Sequence, residues 1–167
     1  MSRAGTIDGL QFARGRGVVS GTLGIDALQR LAALGCESAT LRYAVRGGQN
    51  VKGRPSLTIE VSGELRVACQ RCLGSLDLPL EMTTELELAG TQAEIDAADD
   101  DLDRVLASRA MDVAALVEDE AILALPMVAM HPHCETAVAR STAGKSVPFA
   151  GLARLGKDGT DREGSSR

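Results

Sequence analysis

Leu57-Thr58-Ile59-Glu60-Val61-Ser62-Gly63-Glu64-Leu65-Arg66-Val67-Ala68-Cys69-Gln70-Arg71-Cys72-Leu73-Gly74-Ser75-Leu76-Asp77-Leu78-Pro79-Leu80-Glu81-Met82-Thr83-Thr84-Glu85-Leu86-Glu87-Leu88 is the stretch on which the fold turns. Before the two cysteines, Leu57, Ile59, Val61, Leu65 and Val67 occupy alternate positions, with Gly63 in the remaining slot. After them, Leu76, Leu78, Leu80, Met82, Leu86 and Leu88 do the same, with Thr84 in register. Period two over this length specifies a strand with one dry and one wet face. Two such runs joined by a short connection containing Gly74 and Ser75 specify an antiparallel hairpin. Cys69 and Cys72 therefore belong at its tip.

Working outward, Leu41, Tyr43 and Val45 alternate with Thr40, Arg42, Ala44 and Arg46 in another strand, followed by a turn at Gly47–Asn50. Val18–Leu23 reads as a short strand. Asp26 as N-cap and Gly35 as stop bracket a helix whose Leu28, Leu31 and Leu34 face the core. Cys36, alone among apolar residues, is expected to be a small buried hydrophobe. A second helix is expected from Asp112 as N-cap to about Ala124, ended by Pro126. Its Glu118-Asp119-Glu120 interrupts the apolar stripe: Glu118 and Asp119 can point outward, while Glu120 should be edge-exposed or paired with a base. The expected class is α+β: an antiparallel sheet with a long central hairpin, two short helices packed on it and a flexible C-terminal tail. The expected organisation is an irregular lead-in over 1–16, one domain over 17–138 with an acidic flexible loop at about 90–108, and a tail over 139–167. The loop's six acids (Glu94, Asp96, Asp99, Asp100, Asp101 and Asp103) face only Arg104, which argues for mobility and against a fixed metal site.

The 167 residues are 44% apolar, enough for a real core, with only Phe12, Tyr43 and Phe149 as aromatics. A formal net charge of -5 argues against broad nucleic-acid binding. Locally the balance reverses. Arg42, Arg46, Lys52 and Arg54 lie between Glu37 and Glu60 with no acid among them, and Arg66 and Arg71 add to the group. Arg42, Arg46, Arg54, Arg66 and Arg71 read either as a solubilising sheet face or as a surface for RNA phosphates. The scarcity of aromatics argues against base stacking. The N-terminal residues hold no apolar signal core, and no run approaches a membrane span, so a cytoplasmic location is expected, with four cysteines better suited to ligand or buried-thiol roles than to disulfides. In the tail, Phe149, Leu152 and Leu155 of segment 147–155 form an apolar island at helical spacing, suited to docking on a partner or on its own domain.

Cys69-x2-Cys72 and His131-x2-Cys134 are two ligand pairs with matched spacers. Tetrahedral Zn²⁺ takes four such donors, commonly as pairs from two segments. The alternatives are a redox pair, a deaminase site and plain reduced thiols. A redox CxxC would open a helix in a βαβ unit, and here a strand follows. A deaminase needs His-x-Glu ahead of Pro-Cys-x-x-Cys, which is missing. His133 could substitute as a ligand, although Pro132 turns it away from His131. The hairpin's large apolar side chains, at ~1.5–3 kcal/mol each, rival the ~10–16 kcal/mol of structural zinc in finger peptides. Zinc is thus expected to order the tip without being needed for the whole fold.

Cys69-Gln70-Arg71-Cys72 after a long strand, Val117-Glu118-Asp119-Glu120 through Leu123-Ala124-Leu125-Pro126, and the His131–Cys134 region resemble the YceD-like large ribosomal RNA subunit accumulation proteins. Pro148-Phe149-Ala150-x-Leu152 is similar to that family's C-terminal segment. The resemblance implies a non-catalytic, cytoplasmic ribosome-biogenesis factor supporting synthesis, processing or stability of the large-subunit (23S) rRNA, with that rRNA or ribosome assembly proteins as partners. It implies no small-molecule substrate. Relatives with extra cysteines near the second pair are consistent with a structural zinc site; here His131 stands where they carry a cysteine. The alternatives are a zinc-stabilised protein–protein adaptor without RNA contact and, from another class, a metal-dependent hydrolase or nuclease. For the latter, no open metal position or paired general base is visible.

Overall fold

The computed structural model describes residues 5–98 and 101–134. In chain order the elements are β1 (Thr6–Ile7), α1 (Gly9–Arg14), β2 (Val18–Gly24), a 3-10 turn (Ile25–Ala27), α2 (Gln29–Ala33), β3 (Cys36–Gln49), β4 (Pro55–Ala68), β5 (Ser75–Ala89), α3 (Gln92–Asp96), β6 (Arg104–Leu106), β7 (Met111–Asp112) and α4 (Val113–Leu123). A five-stranded sheet runs β2-β3-β4-β5-β6, and β1 pairs with β7 in a small second sheet. The first three pairings are antiparallel, and β5–β6 is parallel. The fold is the expected α+β class built on a long hairpin.

Alternation decides which side of the sheet is dry. Leu57, Ile59, Val61 and Leu65 of β4, Leu76, Leu80, Leu86 and Leu88 of β5, and Leu41, Tyr43 and Val45 of β3 are all buried. α4 covers that face with Val113, Leu116, Val117 and Ala121, and Leu28 and Leu31 belong to the same core. Gly63 keeps the apolar register without a side chain because β3 passes too close: a Cβ there would collide with the Thr40 carbonyl oxygen. Gly21 of β2 has a similar reason, since the Tyr43 ring lies where its side chain would be. Asp112 caps α4 as expected, its Oδ1 accepting the Ala114 amide at 2.8 Å. Cys36 is buried, its thiol pushed up by that burial and 3.1 Å from the Ser38 carbonyl.

Four expectations need correction. Within the lead-in expected over 1–16, the described residues 5–16 are not merely irregular. Asp8 caps α1 through the Gln11 amide, Ala13 is buried, and β1 pairs with β7. The acidic stretch carries α3, capped by Thr91, and β6, whose pairing with β5 no local pattern could announce. The early helix is broken at Leu28 into a 3-10 turn and α2, and Asp26 caps neither.

The fourth correction concerns the acids of α4. Glu118 does not point outward: it is buried, and its Oε1 accepts the Arg30 and Leu31 amides at 2.7 and 3.1 Å. It thereby caps α2 from a distant helix, offsetting amides that would otherwise lack acceptors. The Arg30 guanidinium completes the joint by bonding Glu118 at 2.9 Å, Asp119, and the Ala115 carbonyl oxygen. Glu120 is neither edge-exposed nor set against a base. It is buried, burial pushes its pKa up, and the Thr84 hydroxyl is its hydrogen-bond partner. Asp103 and Asp119 add like charge nearby.

Candidate metal centre

At the hairpin tip β4 ends and the chain coils once before β5. The Cys69 amide donates to the Gly74 carbonyl oxygen (2.8 Å), and the Leu73 amide returns to the Cys69 carbonyl oxygen (2.9 Å). Leu73 takes φ 59° to close this turn, a left-handed conformation unusual for a side chain of its size. The second segment joins through the Gln70 amide, 2.8 Å from the Ala129 carbonyl oxygen. Past α4 and Pro126 the chain reaches the tip, where His131 and Cys134 meet it.

The result brings together the Cys69, Cys72 and Cys134 sulfurs and a ring nitrogen of His131, all within 4.8 Å of one another. Cys69 Sγ lies 3.6 Å from Cys134 Sγ. His131 Nδ1 lies 3.5 Å from Cys72 Sγ and 3.9 Å from Cys134 Sγ. Zinc–sulfur bonds of ~2.3 Å and zinc–nitrogen bonds of ~2.0 Å set the edges of a tetrahedron at roughly 3.5–3.8 Å. These three spacings, 3.6, 3.5 and 3.9 Å, lie close to that figure. The imidazole is also oriented: its Nε2 lies 3.1 Å from the Ser75 carbonyl oxygen. A carbonyl only accepts, so Nε2 carries the proton and Nδ1 turns its lone pair to the sulfurs. His133 is exposed and lies outside the cluster.

The electrostatics call for a cation. Burial pushes the Cys69 thiol up, but the amides of Cys72, His131 and Arg71, helped by the Cys134 side chain, outweigh it and hold Cys69 at about 5. The Gly74 amide draws Cys72 down, but the Cys69 and Cys134 side chains and burial move it up overall. Three adjacent sulfurs cannot all ionise unless something positive sits among them. Arg71 supplies charge from outside. Its guanidinium donates to the His131 carbonyl oxygen at 2.9 Å, and the Cys134 sulfur raises its pKa. Four protein donors would fill a tetrahedral shell and leave no position for substrate, the arrangement of structural rather than catalytic zinc.

The other arginines singled out in the sequence are scattered along the sheet, and most carry acid partners. Arg46 pairs with Glu60 on the outer face, and Arg66 with Asp77 at 2.6 Å. Arg54 turns to buried Glu87 at 3.0 Å and to Glu94 at 3.3 Å. Arg42 is exposed and has no ion pair among the described residues. Sequence reasoning missed the Glu87 node. Its carboxylate is 2% exposed and accepts from Asn50 (2.7 Å), Arg54 (3.0 Å) and Arg104 (3.1 Å). The one available signal was a glutamate on the wet side of β5 beside a conspicuously charged segment. Phe149, Leu152 and Leu155 lie outside the described residues.

Fold and cluster together define a sheet protein of the α+β class with a Cys3His centre of metal-binding geometry at the tip of its main hairpin. The family model for the large ribosomal RNA subunit accumulation protein YceD matches residues 57–155, more than half of the chain. The chain belongs to the YceD family, whose name ties it to large-subunit ribosomal RNA. No curated protein and no solved structure matches it. Among the described residues, no helix is long and apolar enough to cross a membrane.

Proposed function

We propose that this chain is a non-catalytic, cytoplasmic ribosome-biogenesis factor that supports the synthesis, processing or stability of large-subunit (23S) rRNA. In this reading Cys69, Cys72, His131 and Cys134 hold one structural Zn²⁺. The observation that carries it is the convergence of four donors, with a tautomer-fixing carbonyl, in a chain of this family. Bound zinc would neutralise the thiolates and lock the segment after α4 to the hairpin tip. Arg42 is the leading candidate for phosphate contact because it has no ion pair among the described residues. Arg46, Arg54 and Arg66 would contribute less, their charge being shared with acids, and Arg71 would act chiefly by bracing the metal centre.

The adaptor reading has an observation of its own. Beside the metal centre, Leu34, Val67, Leu78, Ile122, Leu125 and Met127 line an open groove of about 350 Å³. Met127, Val128 and Met130 are exposed next to it, the kind of apolar surface that marks a protein contact, and the Phe149 segment would add a second docking element.

Metal analysis of the purified protein tests the zinc, with one equivalent per chain expected and none overturning it. Titrating salt against rRNA binding separates the two functional readings. Direct phosphate contact predicts affinity falling steeply with salt and a shallower slope in Arg42→Ala. Absence of rRNA affinity at low salt eliminates direct contact and leaves the adaptor.

A further inference from the structure

The five-stranded sheet ends in two very different edges. β6 is three residues long, begins with Arg104 and is flanked by Asp101 and Asp103. Short, charged edges of this kind resist pairing with another chain. β2 runs for seven residues, Val18–Gly24, with neither a charge nor a proline. No described residue forms a hydrogen bond with its outer edge. Long, uncharged edges are where strands add.

The register shows which groups that edge offers. β2 and β3 pair with Val18 opposite Arg46 and Val19 opposite Val45. The Gly47 amide donates to the Gly17 carbonyl oxygen at 2.8 Å. In an antiparallel ladder bonded positions alternate, so Gly17, Val19, Gly21 and Leu23 bond β3. Val18, Ser20, Thr22 and Gly24 turn their amides and carbonyls outward.

We propose that β2 pairs antiparallel with β2 of a second copy of this chain, about a two-fold axis through Gly21. That register sets Val18 against the partner's Gly24, and Ser20 against the partner's Thr22. Every hydrogen-bonded pair then joins two residues whose backbone groups already face outward, and the alternation of inner and outer side chains continues across the axis. A shift by one residue would set outward groups against inward ones. Charge selects the same register. Arg16 and Asp26 stand two residues beyond the two ends of β2, and neither has an ion pair within the protomer among the described residues. The axis brings Arg16 of each copy to the same end as the partner's Asp26. The contact is isologous and closes on itself, and it joins two five-stranded sheets into one.

Sedimentation of the zinc-loaded full-length protein over a range of concentrations tests this. The expected result is a species of twice the protomer mass. Thr22→Pro removes an outward amide that the β3 ladder does not use, so it should leave the circular dichroism unchanged and weaken the dimer by more than about tenfold. Arg16→Asp should weaken it about fivefold through two exposed pairs, and Arg16→Asp combined with Asp26→Arg should restore it. A wild-type chain that stays monomeric overturns the proposal. So does a dimer that survives Thr22→Pro, or a charge swap that rescues nothing.

Discussion

One end of the long hairpin buries a carboxylate and the other gathers sulfur donors around buried Cys69, and the two are handled differently. At the end near the β3–β4 turn, Glu87 is almost fully enclosed, and the chain supplies its own cations in Arg54 and Arg104. At the tip, three sulfurs and an imidazole converge with Arg71 only at the periphery. α4 adds a third case: Glu120 is buried with a hydroxyl beside it and acids as its charged neighbours, so it favours keeping a proton. The buried carboxylates of this molecule are matched by guanidinium, by backbone amides or by a proton, and the sulfur cluster at the tip has the geometry to take a metal.

The largest expected effect is at the tip. Cys69→Ser with Cys72→Ser should abolish metal binding. It should also lower stability by on the order of 4 kcal/mol relative to protein holding zinc at a thousandfold excess over its dissociation constant. Hydrogen exchange should accelerate at 69–75 and 129–134, while β3, β4 and α4 stay protected. Collapse of the whole sheet would show that the hydrophobic face cannot stand without the ion.

Glu87→Ala attacks the self-sufficient end. It removes the buried acceptor shared by Asn50, Arg54 and Arg104, and urea denaturation should record a loss of about 3 kcal/mol. That is the lower part of the range for a broken buried pair, because Arg54 remains 48% exposed. Glu94→Ala, on the same arginine but 45% exposed, should cost below about 0.5 kcal/mol. Equal losses from the two substitutions would refute the distinction drawn between them.

Glu120→Gln should have the smallest effect and the opposite sign. Folded Glu120 holds its proton to higher pH than the ordinary value of 4.5. Its contribution to stability is therefore full below 4.5 and is lost as pH rises through the raised folded value. The variant should lack that decline and match or exceed wild type at neutral pH. A glutamine variant clearly less stable than wild type at pH 7 would mean that the carboxylate is better solvated than its burial implies.

What the sequence revealed follows the range of the interactions. The hairpin and α4 were legible because alternation, Asp112 and Pro126 act within a few residues. The donor pairs were legible because each is compact, and the x2 spacing carries its own geometric meaning. β6 and the break at Leu28 were not, because both depend on distant partners: β6 on β5, and α2 on the Glu118 carboxylate. The arginines show the same limit. Their positions could be read directly, but whether each charge is free depends on acids brought close by strand register, as Asp77 is to Arg66.

The Tyr43 ring packed over Gly21 has a practical consequence. With no tryptophan and a single tyrosine in the chain, ultraviolet-excited emission comes essentially from this one phenol, which bridges the outermost long strand and its neighbour. Burial pushes its pKa up, so its signal should resist alkaline quenching while β2 stays in place. Peeling that strand away, or capping it with another, should change the light this protein emits without any label attached.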